Sequence, residues 1–166
     1  MSIMDITLEL LLRVFIAALF GGLIGLEREY RSKMAGFRTH SLVALGSALF
    51  MVVSMYGFDG VVMGELSRSV RLDPSRVAAG IVSGIGFIGA GAIIFQKNKV
   101  YGLTTAAGLW VTAALGMACG AGLYLLALVS AVLVLACMEM PHLTKRMNSQ
   151  IQPINEDEQD DEETGT

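Results

Sequence analysis

Ile81–Phe95 reads IVSGIGFIGAGAIIF, with glycines at 84, 86, 89 and 91, Gly80 on its flank and no charge. A soluble helix rarely carries so many glycines, because each interior Gly costs roughly 1 kcal/mol against Ala. In a bilayer the balance changes. Lipid tails give no hydrophobic drive between helices, so association depends on close backbone approach, which Gly permits. The stretch is therefore expected to be a central transmembrane helix, with the other helices packed on its glycine faces.

Gly84-Ile85-Gly86-Phe87-Ile88-Gly89 also fits G-x-G-x-x-G. That pattern binds dinucleotides only between a strand and a helix, with an acid about 20 residues further on. Here it lies inside an apolar run, and residues 98–108 hold no acid. The context opposes a nucleotide site.

Around this helix the composition is that of an integral membrane protein: 166 residues, 54% hydrophobic, mean hydropathy +0.60. The formal charge of −3 misleads, since seven acids crowd after Asn155 and the rest of the chain is net positive. No basic stripe of the nucleic-acid type is present. Cys119 and Cys137 lie in apolar runs expected near opposite membrane faces, so they are read as small apolar residues and not as a disulfide. No cleavable leader is evident at the N-terminus.

Five apolar segments stand out, at about 6–26, 39–57, 77–95, 103–119 and 121–140. Each approaches the ~20 residues that cross a bilayer. The expected fold is an all-α integral membrane protein with five transmembrane helices over residues 1–147. Residues 148–166 contain EDEQDDEE and are expected to form an acidic cytosolic tail whose composition is that of disorder.

Loop charge sets the orientation. Arg28, Arg31, Lys33, Arg38, Lys97, Lys99, Lys145 and Arg146 fall on one side, against Arg68, Arg71 and Arg76 on the other. The side with eight is expected in the cytosol, which puts the N-terminus outside and the tail inside.

Segment one carries Glu9 and Arg13 at i, i+4, a spacing for an ion pair that snorkels to the outer interface. It also carries Ala17, Gly21 and Gly25 at spacing four, and segment four carries Gly108, Thr112, Gly116 and Gly120. Both are small-residue packing faces. The outer loop holds Asp59, Glu65 and Asp73 among arginines, a pattern of solvated charge and not of a cation site. Asp73-Pro74 has the form of a helix start.

An ungapped shift of 66 residues lays Phe15–Met51 over Ile81–Met117, with Gly25/Gly91, Lys33/Lys99, Gly36/Gly102 and Thr39/Thr105 among the identities. The expectation is a parallel two-helix internal repeat.

Four polar or glycine-rich motifs now stand in order: Gly21-Gly22-Leu23-Ile24-Gly25-Leu26-Glu27-Arg28-Glu29, Ala35-Gly36-Phe37-Arg38-Thr39-His40, Gly84–Gly91, and Gly102-Leu103-Thr104-Thr105-Ala106-Ala107 with Trp110 beyond. Over roughly residues 10–140 this set resembles the MgtC/SapB family of bacterial membrane proteins. The resemblance implies a five-helix inner-membrane protein tied to survival under magnesium limitation and, in pathogens, to growth inside macrophages. It implies action on other membrane proteins, the F-type ATP synthase included, and not established magnesium transport. It places polar residues at Glu27, Arg28, Arg38, His40, Asp73, Arg76 and Thr104, the last being Asn in some virulence-associated members. Those members carry a soluble domain after the fifth helix, where this chain has a short acidic tail; functions of that domain are not expected here.

His40 and His142 have no acidic partner placed by sequence, and no metal-ligand cluster is visible. No enzyme activity, cofactor or resident metal is expected. The partners expected are membrane lipid, a second copy in a homodimer packed through glycine faces, and another membrane protein. The candidate site is the cytoplasmic rim. Glu27 and Arg28 end the first helix, Arg38, Thr39 and His40 begin the second, and Thr104 and Thr105 begin the fourth. All are expected at one membrane depth, with Glu27 placed to neutralise Arg38. Asp73 and Arg76 are the outer-face candidates, and Gly21, Gly25, Gly80, Gly84, Gly86, Gly89 and Gly91 the packing residues. The alternative function is a conduit for an ion or small solute.

Overall fold

A computed structural model gives the architecture. It describes residues 3–58 and 73–151, with side chains for residues 4–58 and 73–140. Two compact units divide the chain, Met1–Val134 and Leu135–Thr166; the packing and the site described below belong to the first. The elements are α1 (Ile3–Tyr30), α2 (Phe37–Tyr56), α3 (Pro74–Gly91), β1 (Ile94–Gln96), β2 (Lys99–Tyr101), α4 (Leu103–Gly120) and α5 (Tyr124–Ile151). Three helices among the described residues are long and apolar enough to cross a membrane: Met4–Tyr30, Phe37–Tyr56 and Leu103–Gly120. The apolar part of α5, Tyr124–Met140, is shorter. Asp59 and Glu65, with Arg68 and Arg71, lie outside the described residues, as do the tail residues from 152 onward.

The connectors are built from a few backbone devices. α1 closes in a Schellman motif, with Ser32 at φ 53°, Lys33 N–H donating to the Arg28 carbonyl and Ser32 N–H to that of Glu29. α4 closes the same way at Gly122, φ 80°, which makes the expected tight connection into α5. α3 opens as Asp73-Pro74 suggested: the Asp73 carboxylate accepts from the Ser75 amide at 3.0 Å, and Pro lies in the first turn.

Two expectations are corrected here. The third helix was expected to run to Phe95, but it stops at Gly91 and a hairpin follows, so the described fold is not purely α. Lys97 and Asn98 both take positive φ, 48° and 62°, as a two-residue hairpin turn requires. Gln96 then pairs with Lys99 and Ile94 with Tyr101. The β-branched Ile93-Ile94 pair suits a strand better than a helix end. Gly102, at φ 86°, brings the chain back against α3, where a Cβ would stand 1.9 Å from the Ala92 carbonyl oxygen.

The second correction concerns the hub. Glycines of α3 do not organise the unit: among the described residues, a Cβ added at Gly80, Gly84, Gly86 or Gly91 would meet nothing within 4 Å, and one at Gly89 reaches only Ala106. The hub is α2. Added Cβ atoms at Gly21 and Gly25 would lie 2.5 Å from the His40 carbonyl oxygen and 2.6 Å from Phe37 Cα. On its other side, Gly116 and Gly120 press on the Ala44 and Ala48 carbonyls, at 2.3 and 2.6 Å. The small-residue faces of α1 and α4 thus clasp α2 from both sides. Ala17, Ile24, Ala44, Ala48 and Cys119 are fully buried in these seams. A second apolar cluster joins Ala35 of the α1–α2 connector to Ile85, Leu109 and Ala113. Cys119 and Cys137 are both free thiols, the first buried and the second exposed.

Candidate functional site

Polar side chains are buried at two levels of the α1–α2–α4 packing. Towards the N-terminal end of α1, Arg13 is 7% exposed. Its guanidinium donates to Glu9 Oε1 at 2.5 Å, to the Tyr56 hydroxyl at 3.0 Å and to the Gly120 carbonyl at 3.0 Å. It also stacks 5.1 Å from the Tyr56 ring centroid. The Glu9–Arg13 pair forms as expected, but it does not snorkel. Arg13 turns inward and ties the ends of three helices together, with Gly122 leaving room for it. Arginine's five donors in a planar fork make such a three-way tie feasible in low dielectric.

At the other level the packing register decides what meets. His40 faces Thr112, Ala44 faces Gly116 and Ala48 faces Gly120, so α2 and α4 run parallel. In that register α4 begins about six residues, ~9 Å, before α2 does. The rim residues therefore do not share one depth: Thr104 and Thr105 lie about 11 Å along α4 from Thr112. Repeat-equivalent positions are staggered because side-chain packing, not sequence alignment, sets the register.

His40 is fully buried. Its Nδ1 lies 2.8 Å from Thr112 Oγ1, whose own proton goes to the Gly108 carbonyl at 2.8 Å. Nδ1–H therefore donates to Thr112, and Nε2 is left as a bare acceptor, buried without a partner. Beyond it, Arg28 is 2% exposed. Its guanidinium donates twice to Glu27, through Nε to Oε2 and through Nη2 to Oε1 at 2.7 Å. Arg31 Nε stands 3.5 Å from the same carboxylate. Glu27 is thus engaged by Arg28 and Arg31; the expected Glu27–Arg38 pairing does not occur. The physical reason is reach: two arginines of α1 itself lie one and four residues away.

Arg38 and Thr104 are exposed, Thr39 is half-buried and Thr105 is buried. α2 and α4 both begin from glycine N-caps without a side-chain cap bond. Glu29 supplies the first α2 amide instead, accepting from Phe37 N–H at 2.9 Å. The structure thus unites Glu27, Arg28 and His40 in the buried layer and leaves Arg38 and Thr104 on its surface. Asp73 and Arg76 lie at the opposite end, at the start of α3. Ser75 hydrogen bonds, side chain first and backbone second, hold the Asp73 carboxyl below its ordinary range.

The roles of Thr112, Glu29 and Tyr56 were not expected. Thr112 was visible only as a small packing residue, and nothing in spacing pairs it with His40, 72 positions away. Among the described residues no group of His, Cys, Asp and Glu is placed to hold a metal ion.

Apolar helices locked by glycine seams, with arginines buried against carboxylates, define a helical membrane protein with polar ties inside its packing. Its family follows from comparison with known proteins: residues 14–147 match the MgtC family, and the chain belongs to it. It is 50% identical over 142 residues to the putative magnesium transporter YhiD of Escherichia coli (strain K12), an alignment covering 85% of this chain and 65% of that protein. It is 51% identical over 120 residues to protein MgtC of Brucella abortus (strain 2308), covering 72% of this chain and 46% of that one. An uncharacterized protein of Haemophilus influenzae is 37% identical over 135 residues, covering 81% and 56%. The chain thus spans from 46% to 65% of the length of these relatives. No solved structure matches it.

Proposed function

We propose that this chain is a non-enzymatic inner-membrane protein that supports adaptation to magnesium limitation or acid stress by acting on other membrane proteins. The observation that carries it is the split of the rim into a buried support and an exposed face. Glu27–Arg28 and His40–Thr112 form the buried layer. Arg38 and Thr104 stand exposed near helix starts whose own glycine N-caps bring no side-chain cap, Glu29 accepting from the first amide of α2 alone. Forked guanidinium donors and helix N-termini both attract negative charge, so this face suits an anionic group or an acidic side chain of a partner. Five crossings, an external N-terminus and a cytosolic rim belong to the same proposal, on the loop-charge asymmetry.

A homodimer is part of it too. Ala79, Ser83, Gly86 and Ala90 are exposed and recur along one side of α3, leaving a small-residue face for a second copy. A purely monomeric mass in both mild detergent and nanodiscs would remove the dimer.

The second reading is a magnesium conduit, favoured by the name of the Escherichia coli relative. Fully buried Ala17, Ile24, Ala44 and Ala48 support a closed seam, which suits the modulator better. Magnesium flux into liposomes holding the purified chain separates the two. The proposal expects no flux above empty vesicles; flux that scales with protein content would transfer the case to the conduit.

A further inference from the structure

α2 and α3 diverge around an open cavity of about 720 Å³. Leu42, Phe50, Ile81, Ile85 and Ile88 supply apolar walls, and Arg76 stands at one end. Gly46, Gly80 and Gly84 line it, and a Cβ added at any of them would meet no described atom within 4 Å. Apolar walls of this kind gain dispersion contacts from an apolar chain laid along them. We propose that the occupant is one aminophospholipid, its acyl chain lying along the groove, its phosphate on Arg76 and its ammonium on Asp73.

Length favours an acyl chain over a helix. Arg76 to Ile88 is about 18 Å of helix at 1.5 Å per residue, close to the ~15 Å depth of one leaflet's hydrocarbon. A spanning helix of a second copy would need about 30 Å. The small-residue face of α3 that suits such a helix points elsewhere.

Charge order selects the headgroup. Arg76 belongs to the groove wall, while Asp73 is the N-cap one turn further out. In an aminophospholipid the phosphate likewise lies nearer the acyl chain and the ammonium further out. Arginine's fork matches phosphate oxygens. A headgroup with only negative charge would meet the Asp73 carboxylate unfavourably. The site needs α2 and α3 in the bilayer and is independent of the rim's role.

Native mass spectrometry of the full chain in mild detergent, offered equal phosphatidylethanolamine and phosphatidylglycerol, tests this. Wild type should retain one phospholipid per chain and prefer the ethanolamine headgroup. Gly84→Leu and Leu42→Trp fill the groove from opposite walls; each should lose the adduct while keeping the wild-type thermal melt. Arg76→Gln should cut occupancy about tenfold at limiting lipid, as expected for losing a charged hydrogen bond. Asp73→Asn should keep the adduct and lose the headgroup preference. An unliganded wild type, a preference for phosphatidylglycerol, an adduct undiminished in a folded groove-filling variant, or a second copy lost in place of lipid would each overturn the assignment. Should one filled variant fail to fold, the other and the Arg76→Gln titration still decide.

Discussion

Thr112 shows how much one hydroxyl carries. It accepts from His40 and donates to Gly108, so Thr112→Val leaves a buried imidazole N–H without a partner at nearly constant volume. The loss should be about 1–3 kcal/mol, read as a lower melting temperature in detergent. Glu27→Ala should destabilise more, about 3–5 kcal/mol, because it strips the carboxylate from a buried arginine. Asp73 gives a pH-dependent case. Its carboxyl lies below the ordinary range because Ser75 bonds its charged form. Its cap is therefore fully present above the unfolded value of about 3.9 and is lost as pH falls through the lowered folded value. Protection of the first amides of α3, corrected for intrinsic exchange, should stay flat from neutral pH down to that window and then drop. Asp73→Asn, an acceptor that does not titrate, should remove the drop. Asp73-Pro74 and Glu9–Arg13 were legible in sequence because both are local. The His40–Thr112 tie and the grip of Arg13 on Tyr56 and Gly120 were not, because each depends on how separate helices align.

At the scale of the element, glycines that look alike in sequence behave differently. Gly116 and Gly84 both sit in small-residue patterns, yet a Cβ at Gly116 would stand 2.3 Å from the Ala44 carbonyl oxygen, while one at Gly84 meets nothing. Gly116→Ala should therefore push α4 off α2 and lower the melting temperature by several degrees, whereas Gly91→Ala, where a Cβ also meets nothing within 4 Å, should be neutral or slightly stabilising through helix propensity. Residues 80–91 do lie in a helix, α3, but their glycine density did not identify its neighbours: composition reports that a backbone can be approached closely, not that anything approaches it. The end of α3 was missed for a related reason. Apolarity runs on to Phe95, and what stops the helix is the Lys97-Asn98 turn and the return at Gly102, whose constraint is conformational.

For the whole molecule, sequence sufficed for family, membrane class and the helix–connector–helix plan, since these rest on hydropathy, motif order and capping. The six-residue stagger of α4 against α2 was beyond it and rearranges the rim. Orientation remains a matter of loop charge, and it makes a sharp prediction: in a cysteine-free background, a cysteine at position 97 should resist an impermeant thiol reagent applied to intact cells and react after lysis. Labelling from outside would reverse the topology. The stagger also determines which rim variant is informative. Glu27→Ala confounds function with folding, but Arg38 is exposed and lies outside the Glu27 ion-pair cluster. The deciding measurement is growth rescue at limiting magnesium by Arg38→Ala, scored beside its membrane insertion and melting temperature. Arg38→Ala should insert and melt as wild type does and lose rescue; full rescue by a normally inserted Arg38→Ala protein would show that the exposed rim is not the functional face.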